Sequence, residues 1–219
     1  MAGGKLVGTG LFPEPPFVEK KLIDVVDAVP AYTVIALCAP IGLPDKPTVR
    51  GRKAEQEARK ILGWPRLGAI VSAPALPVAE EAKNYDHAVS LNGGRLSRVT
   101  WAQMKKIHEV RDVVQSHIQR NVSEVHPELS FHQLNGDKPL RYSKRTQEGL
   151  NEREELLVAR MQNVGTRIEA DPPKGSTRAN ILDAYAALWT SRRIAARAAA
   201  RVPESPEWNT DGLRMEIMR

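Results

Sequence analysis

The sequence contains a single cysteine, few aromatic residues and no long apolar run. The lone thiol of Cys38 cannot form an internal disulfide, and no Cys/His cluster has the spacing of a zinc site. No stretch approaches the roughly 20 apolar residues that cross a bilayer. The first residues also lack the apolar core of a secretory signal. We therefore expect a cytoplasmic protein with no membrane partner.

The overall composition is that of a folded globular protein. The 219 residues are 42% hydrophobic and 26% charged, values typical of a folded protein. The length fits one large domain or two small ones, and because the sequence has no internal repeat and no convincing linker, we expect one domain spanning residues 1–219. A net charge of +6 makes nucleic acid a candidate partner, although an arginine-rich surface without any polyanion partner explains the charge equally well. With only 5% aromatic residues, a stacking platform for single strands is not expected. No feature of the sequence points to a particular oligomeric state.

Short apolar runs alternate with helical patterns along the chain. Residues 6–12 and 33–38 are predicted strands, and the β-branched run at 33–38 is typical of a strand buried on both faces. Residues 121–125 and 165–170 are two further predicted strands. A long helix is predicted to begin after Thr177 and to reach residue 201, followed by an irregular tail from Pro203. Alternating strands and helices predict an α/β fold.

Polar residues at one strand-to-helix junction form the first candidate site. Glu124 closes a predicted strand, and His126 and Glu128 follow within four residues. Carboxylates gathered at a sheet edge suit a hard divalent cation such as Mg²⁺. The alternative is purely local: Glu128 favours the helix dipole, and His126 caps the helix, with Pro127 in its first turn.

Charged residues on the last helix form the second candidate. Asp183 is a lone acid in an apolar, alanine-rich half of the helix, where it either points at the strand-end cluster or favours the helix dipole. The helix then ends in four arginines, which either interact with the helix C-terminus or form a phosphate-contacting ridge. These arginines are Arg192, Arg193, Arg197 and Arg201.

Five segments together resemble one known family. They are TVIALCAPIGLP (33–44), KIHEV (106–110), EVHPELSF (124–131), YSKRTQEGL (142–150) with Arg153, and residues 181–193. In this order and spacing they resemble domain of unknown function 429, a family of predicted RNase H-like nucleases. The resemblance covers most of the chain from about residue 30. It implies a mixed sheet flanked by helices, here with the N-terminal strand and hairpin region reduced.

The resemblance also implies a chemistry and a set of residues. The expected activity is metal-dependent hydrolysis of nucleic-acid phosphodiesters with Mg²⁺ or Mn²⁺ as cofactor. Glu124, Asp183 and Glu128 match the catalytic acids, and Glu124 and Asp183 match metal ligands. The matching substrate-binding positions are Lys144, Arg145 and His126.

The chain departs from the family at several acidic positions. Cys38 stands where the family has an aspartate, and a soft thiolate suits Mg²⁺ poorly; we expect Cys38 to be a small buried residue. Ala179 and Asn180 replace a pair of aspartates, and residues 6–12 contain no acid. Either translation starts upstream of Met1, or this is a repurposed copy in which residues 6–12 fill the central strand position.

The missing acids leave three functions open. The first is a nuclease with reduced activity, and the second is a non-catalytic descendant of the family that binds nucleic acid or protein. The third is an enzyme of another class on the same fold, since a fold does not fix its chemistry.

Overall fold

The computed structural model describes residues 1–8 and 10–219, and these form ten α-helices and six β-strands. The predicted α/β class is confirmed. No helix among the described residues is long and apolar enough to cross a membrane. The strands are β1 (Gly4–Val7), β2 (Gly10–Pro13), β3 (Ile35–Leu37), β4 (Val122–Glu124), β5 (Arg201–Trp208) and β6 (Arg214–Met218). The helices are α1 (Leu22–Val26), α2 (Lys53–Leu62), α3 (Leu76–Glu81), α4 (Tyr85–Leu91), α5 (Arg98–Ala102), α6 (Met104–Val113), α7 (Pro127–Leu134), α8 (Gln147–Val158), α9 (Val164–Glu169) and α10 (Arg178–Ala195).

The described strands pair two by two. β3 and β4 are parallel, with Leu37 opposite Glu124, whereas β1 with β2 and β5 with β6 are antiparallel. A parallel bridge between Val125 and Met218 places β6 beside the end of β4. The four strands therefore follow the order β3, β4, β6, β5. β3 is shorter than the predicted strand and only half-buried, so the expectation of burial on both faces was wrong.

The N-terminal segment is a hairpin and not the single strand predicted for residues 6–12. β1 and β2 pair with each other, with Val7 opposite Gly10. Gly8 has a φ of 59°, a conformation that glycine adopts without steric cost. Thr9, inside the predicted strand, lies outside the described residues. Leu11 packs into the hydrophobic cluster around α10, so the hairpin covers α10 and does not pair with β3 among the described residues.

Two predictions in the C-terminal third were wrong. Residues 165–170, predicted as a strand, lie mostly in the short helix α9, where Val164 and Ile168 reach the core one helical turn apart. The tail predicted to be irregular forms β5 and β6. β5 contains Pro203 and Pro206, which a strand tolerates when it lies at the edge of a sheet.

The helix that carries Asp183 lies at the centre of the largest hydrophobic cluster. Thr177 caps α10 as predicted, because its hydroxyl accepts from the Asn180 amide and the Asn180 side chain accepts from the Thr177 amide. α10 ends at Ala195, earlier than predicted, and packs against α7, α8 and β3. The buried side chains of Tyr185 and Trp189 join this cluster. This packing fixes the position of α10 beside the ends of β3 and β4.

Candidate functional site

The ends of β3 and β4 bring together the residues that the sequence singled out. The strands are parallel, so Cys38 after β3 and His126 after β4 leave the sheet at the same edge. We call the cluster of Cys38, Glu124, His126, Lys144 and Asp183 the edge site. The carboxylates of Asp183 and Glu124 and the ammonium of Lys144 all act electrostatically on the Cys38 thiol.

The carboxylate of Glu124 is held by a buried arginine. Arg52 donates from Nη1 to Oε2 at 2.9 Å and from Nη2 to Oε1 at 2.6 Å. The backbone amide of Ile41 also donates to Oε2, at 2.6 Å. Glu124 therefore ties the loop after β3 to α2, and both of its oxygens already accept hydrogen bonds. Burial raises the pKa of Glu124 to about 7, against the opposing effect of Arg52.

Arg52 is shared between two carboxylates. It is 2% exposed, and its Nε donates to Glu55 Oε1 at 2.7 Å. Its Nη1 also donates to the carbonyls of Ile41 and Gly42, at 2.8 and 3.0 Å. A buried charge is tolerated only when it is paired and hydrogen-bonded, and Arg52 meets this condition. Removing Arg52 would leave two buried carboxylates, Glu55 and Glu124, without their shared cation.

Glu128 is held in the same way by a second arginine. It is 3% exposed, and Arg153 Nη2 donates to Oε1 and Oε2 at 2.7 and 2.9 Å. Arg153 on α8 is 1% exposed and also donates to the Gly149 carbonyl at 2.9 Å. This pair joins α7 to α8 beneath the edge site. Glu128 therefore contributes to the packing of two helices.

His126 caps α7. Its Nδ1 accepts from the Glu128 amide at 3.2 Å, and its ring also interacts with the Ala69 backbone. Burial lowers the pKa of His126 to about 4, so the imidazole is neutral near pH 7. Pro127 occupies the first turn of α7, as the sequence predicted. The geometry matches the local interpretation of His126 as a helix cap, and its predicted substrate contact stays a prediction.

Asp183 is the one predicted acid that no arginine holds. Its Oδ2 accepts from Lys144 Nζ at 2.9 Å, whereas its Oδ1 is buried without a hydrogen-bond partner among the described residues. Burial raises the pKa of Asp183, and Lys144 opposes this shift. A buried acceptor without a partner is costly, which marks Oδ1 as a place where a further donor or a cation would be stabilised.

Cys38 is exposed, so the expectation that it is buried was wrong. Its strand ends one residue earlier, at Leu37, and the thiol lies beyond the sheet edge. Neighbouring protein displaces water from the thiolate, and Asp183 adds negative charge, so the pKa of the Cys38 thiol is raised. The thiol is therefore protonated near pH 7.

Lys144 and Arg145 lie in the loop that precedes α8. Both are exposed, and Arg145 forms no ion pair with any described residue. Thr146 caps α8 by accepting from the Gly149 amide, and the loop lies against the first turn of the helix. A cation beside a helix N-terminus is a favourable position for a phosphate.

The donor set does not match the metal pair that the resemblance implies. Across residues 1–8 and 10–219, no group of three or more His, Cys, Asp or Glu side chains converges as metal ligands do. Glu124 faces Arg52, Asp183 faces Lys144, and the third position is the protonated thiol of Cys38. These donors do not fit a two-metal site. The catalytic and metal-ligand roles of Glu124, Glu128 and Asp183 stay predictions.

Sequence reasoning missed the two arginines, Arg52 and Arg153, that form ion pairs with Glu124 and Glu128. Arg52 and Glu124 are separated by 72 residues, and Arg153 and Glu128 by 25. The i,i+3 spacing of Arg52 and Glu55 is a local signal for an ion pair, but it contains no information about Glu124. Arg153 belongs to a family-matching segment, but no local pattern identifies its partner.

Comparison with known proteins gives one match. A family model described as "Protein of unknown function (DUF429)" matches residues 11–208. No curated protein and no solved structure matches the chain. The match spans both strands of the edge site and all of its residues.

Proposed function

The chain belongs to the DUF429 family of proteins of unknown function, and from this premise we propose that it binds nucleic-acid phosphates at the edge site without cutting them. One observation carries the proposal: each glutamate that a nuclease of this type would use accepts hydrogen bonds from a buried arginine. The glutamates then stabilise the fold, and the exposed cations Lys144, in the site, and Arg145, next to it, are left to contact a ligand.

The occupied carboxylates argue against hydrolysis. Two-metal hydrolysis requires several carboxylate oxygens that face a common point and are free to bind cations. Both Glu124 oxygens accept from Arg52, and both Glu128 oxygens accept from Arg153. Withdrawing Glu128 would leave the buried Arg153 guanidinium without its carboxylate, at a cost of about 3–5 kcal/mol. Withdrawing Glu124 would break two of the hydrogen bonds that Arg52 donates and leave Glu55 as its one carboxylate partner.

The exposed cations support a phosphate ligand. Lys144 and Arg145 precede the capped N-terminus of α8, where backbone amides and the helix dipole favour an anion. Lys106 adds a further positive charge near Cys38. The net charge of +6 favours association with a polyanion. A phosphate would replace the Asp183 carboxylate as the partner of Lys144.

A metal-dependent nuclease is the second candidate, and Asp183 is the observation that favours it. Its Oδ1 is buried and lacks a hydrogen-bond partner among the described residues. Mg²⁺ or Mn²⁺ would satisfy such an oxygen, and the cation would neutralise charge on a bound phosphodiester. This candidate requires Glu124 or Glu128 to leave its arginine.

The binding proposal is tested by fluorescence anisotropy with labelled single-stranded and duplex DNA and RNA at two salt concentrations. Lys144→Gln/Arg145→Gln should weaken binding and lower the salt slope of duplex binding by about 0.9 for each phosphate that the variant no longer neutralises. The control is Lys53→Gln/Lys60→Gln, which removes the same charge from exposed positions on α2. It should leave both quantities nearly unchanged.

Two results would contradict the binding proposal. One is an absence of binding by the unmodified chain at low salt. The other is an equal loss of affinity in the two double variants, which would assign binding to overall charge and not to the edge site.

A further inference from the structure

A cavity of about 320 Å³ lies at the C-terminal end of α10. Its walls carry Arg192 and Arg193 from α10, Arg160 from the end of α8, and Gln133 from α7. No acidic residue lines it. Asp183 lies on the same helix almost three turns earlier, so this cavity is a site separate from the edge site.

The positive charge of the cavity is not compensated. The guanidinium groups of Arg160 and Arg192 make no ion pair or hydrogen bond with any described residue. The nearby acid that acts on Arg193 is Asp137, which is already held by Arg219 at 2.5 Å. Three arginines thus face one cavity without a carboxylate among them. Such a cluster of cations attracts an anion.

The guanidinium of Arg193 is held by hydrogen bonds and by an aromatic ring, and one of its donors has no acceptor. Its Nη2 donates to the Ala198 carbonyl and, with the Gln133 amide turned to offer its oxygen, to Gln133 at 2.8 Å. Its guanidinium carbon lies 4.9 Å from the Trp189 ring centroid, so the ring holds the group from one side. The Nε hydrogen is buried and has no acceptor among the described residues.

We propose that this cavity, which we call the arginine pocket, binds a phosphate group. Arginine forks match the geometry of phosphate oxygens, and three of them offer many more donors than a carboxylate can accept. Trp189 is 7% exposed and its ring already carries the Arg193 guanidinium at 4.9 Å from the centroid, so it offers a nucleobase little surface on which to stack. The pocket therefore recognises the phosphate and not a base. The phosphate comes either from a small phosphorylated molecule or from a nucleic-acid strand.

The test is calorimetric titration of the full chain with inorganic phosphate, then with a mononucleotide, then with an oligonucleotide lacking terminal phosphates. Arg160→Gln/Arg192→Gln should weaken inorganic phosphate binding at least about tenfold, as expected for the loss of charge-assisted hydrogen bonds. Arg160→Gln alone changes an exposed side chain and should give an intermediate loss. The control, Arg197→Gln/Lys174→Gln, removes two exposed charges outside the pocket and should stay within about twofold.

The titrations separate the two sources and the two sites. If the mononucleotide competes with phosphate, the ligand is a small molecule; if only the oligonucleotide binds and binding needs Arg160 and Arg192, the phosphate belongs to a strand. Inorganic phosphate binding that remains in Lys144→Gln/Arg145→Gln and is lost when Arg160→Gln/Arg192→Gln is added belongs to the arginine pocket, so failure at the edge site is distinguishable. No phosphate or oligonucleotide binding by the unmodified chain, or an equal loss in the control, would overturn the proposal.

Discussion

Replacing Arg52 by methionine tests whether Glu124 is part of the fold. Methionine keeps much of the side-chain volume but removes the guanidinium that donates to Glu124 at 2.6 and 2.9 Å. Glu124 and Glu55, 7% and 2% exposed, would then be buried carboxylates without a cation. Breaking a buried ion pair costs about 3–5 kcal/mol of stability. Because Arg52→Met leaves two carboxylates without a cation, we expect a loss at the upper end of this range. That is a large share of the roughly 5–15 kcal/mol that stabilises a typical domain.

The assay is urea unfolding of the two proteins at pH 5 and pH 8. Burial already raises the pKa of Glu124, and without Arg52 the pKa of Glu124 rises further. A group whose pKa is higher in the folded than in the unfolded state is stabilising at low pH and loses this contribution as pH rises. The cost of Arg52→Met should therefore be smaller at pH 5 than at pH 8.

A double-mutant cycle supplies the control. In Arg52→Met/Glu124→Leu the stranded Glu124 charge is gone, so the double variant should lose less stability than the two single losses added together. A cost below about 1 kcal/mol for Arg52→Met, equal at both pH values, would refute the reasoning. Glu124 would then be free for another role.

Three further predictions concern residues around the edge site. His126→Asn retains a capping side chain but should remove a pH dependence of about 3 kcal/mol, because the lowered pKa of His126 makes stability fall as pH drops from about 6.5 to 4. Urea unfolding across this range, compared with the unmodified chain, measures it. Gly149→Ala should lower the free energy of unfolding by about 3 kcal/mol or abolish folding, because the Cβ of the alanine would lie 1.9 Å from the Ser143 carbonyl oxygen. Thermal unfolding measures this loss. Tyr185→Phe should cost about 1 kcal/mol and loosen the N-terminal hairpin, because the hydroxyl donates to the Glu14 carbonyl at 2.8 Å; hydrogen exchange of β1 and β2 measures it.

Each of these predictions has a contradicting result, and two of them have a matched control variant. Parallel pH curves for His126→Asn and the unmodified chain would show that His126 does not titrate as described. Gly165→Ala should be nearly neutral, because its Cβ meets only Val158 at 3.4 Å, and an equal loss at Gly149 and Gly165 would contradict the steric reasoning. Tyr142→Phe, at an exposed ring, should leave exchange of the hairpin unchanged; faster exchange there would remove the special role of Tyr185.

Local signals in the sequence predicted the elements that position the site. Thr177 capped α10 as expected, and Pro127 in the first turn of α7 followed the rule that the fixed φ of proline suits a helix start. The β-branched run that became β3 was also identified, as was the strand that ends at Glu124. These features depend on residues within about one helical turn of each other, which is the range that pattern reasoning covers.

The errors arise where distant partners decide the outcome. β5 contains two prolines and few buried residues, and only pairing with β6 makes it a strand. Arg52 and Arg153 resemble solvated charges on helices until the fold brings their glutamates to them. The same acids that resemble a catalytic set in sequence are thus ion-pair partners in three dimensions.

The central claim is that the edge site holds phosphates without cutting them, and Asp183→Asn tests it most directly. Cleavage and binding of single-stranded, duplex and branched DNA and RNA would be measured with Mg²⁺ and with Mn²⁺, for this variant and for the unmodified chain. We predict binding without cleavage by the unmodified chain. Asp183→Asn should bind at least as tightly, because the substitution frees Lys144 from its 2.9 Å ion pair. Metal-dependent cleavage that disappears in Asp183→Asn would contradict the claim and identify the chain as a nuclease.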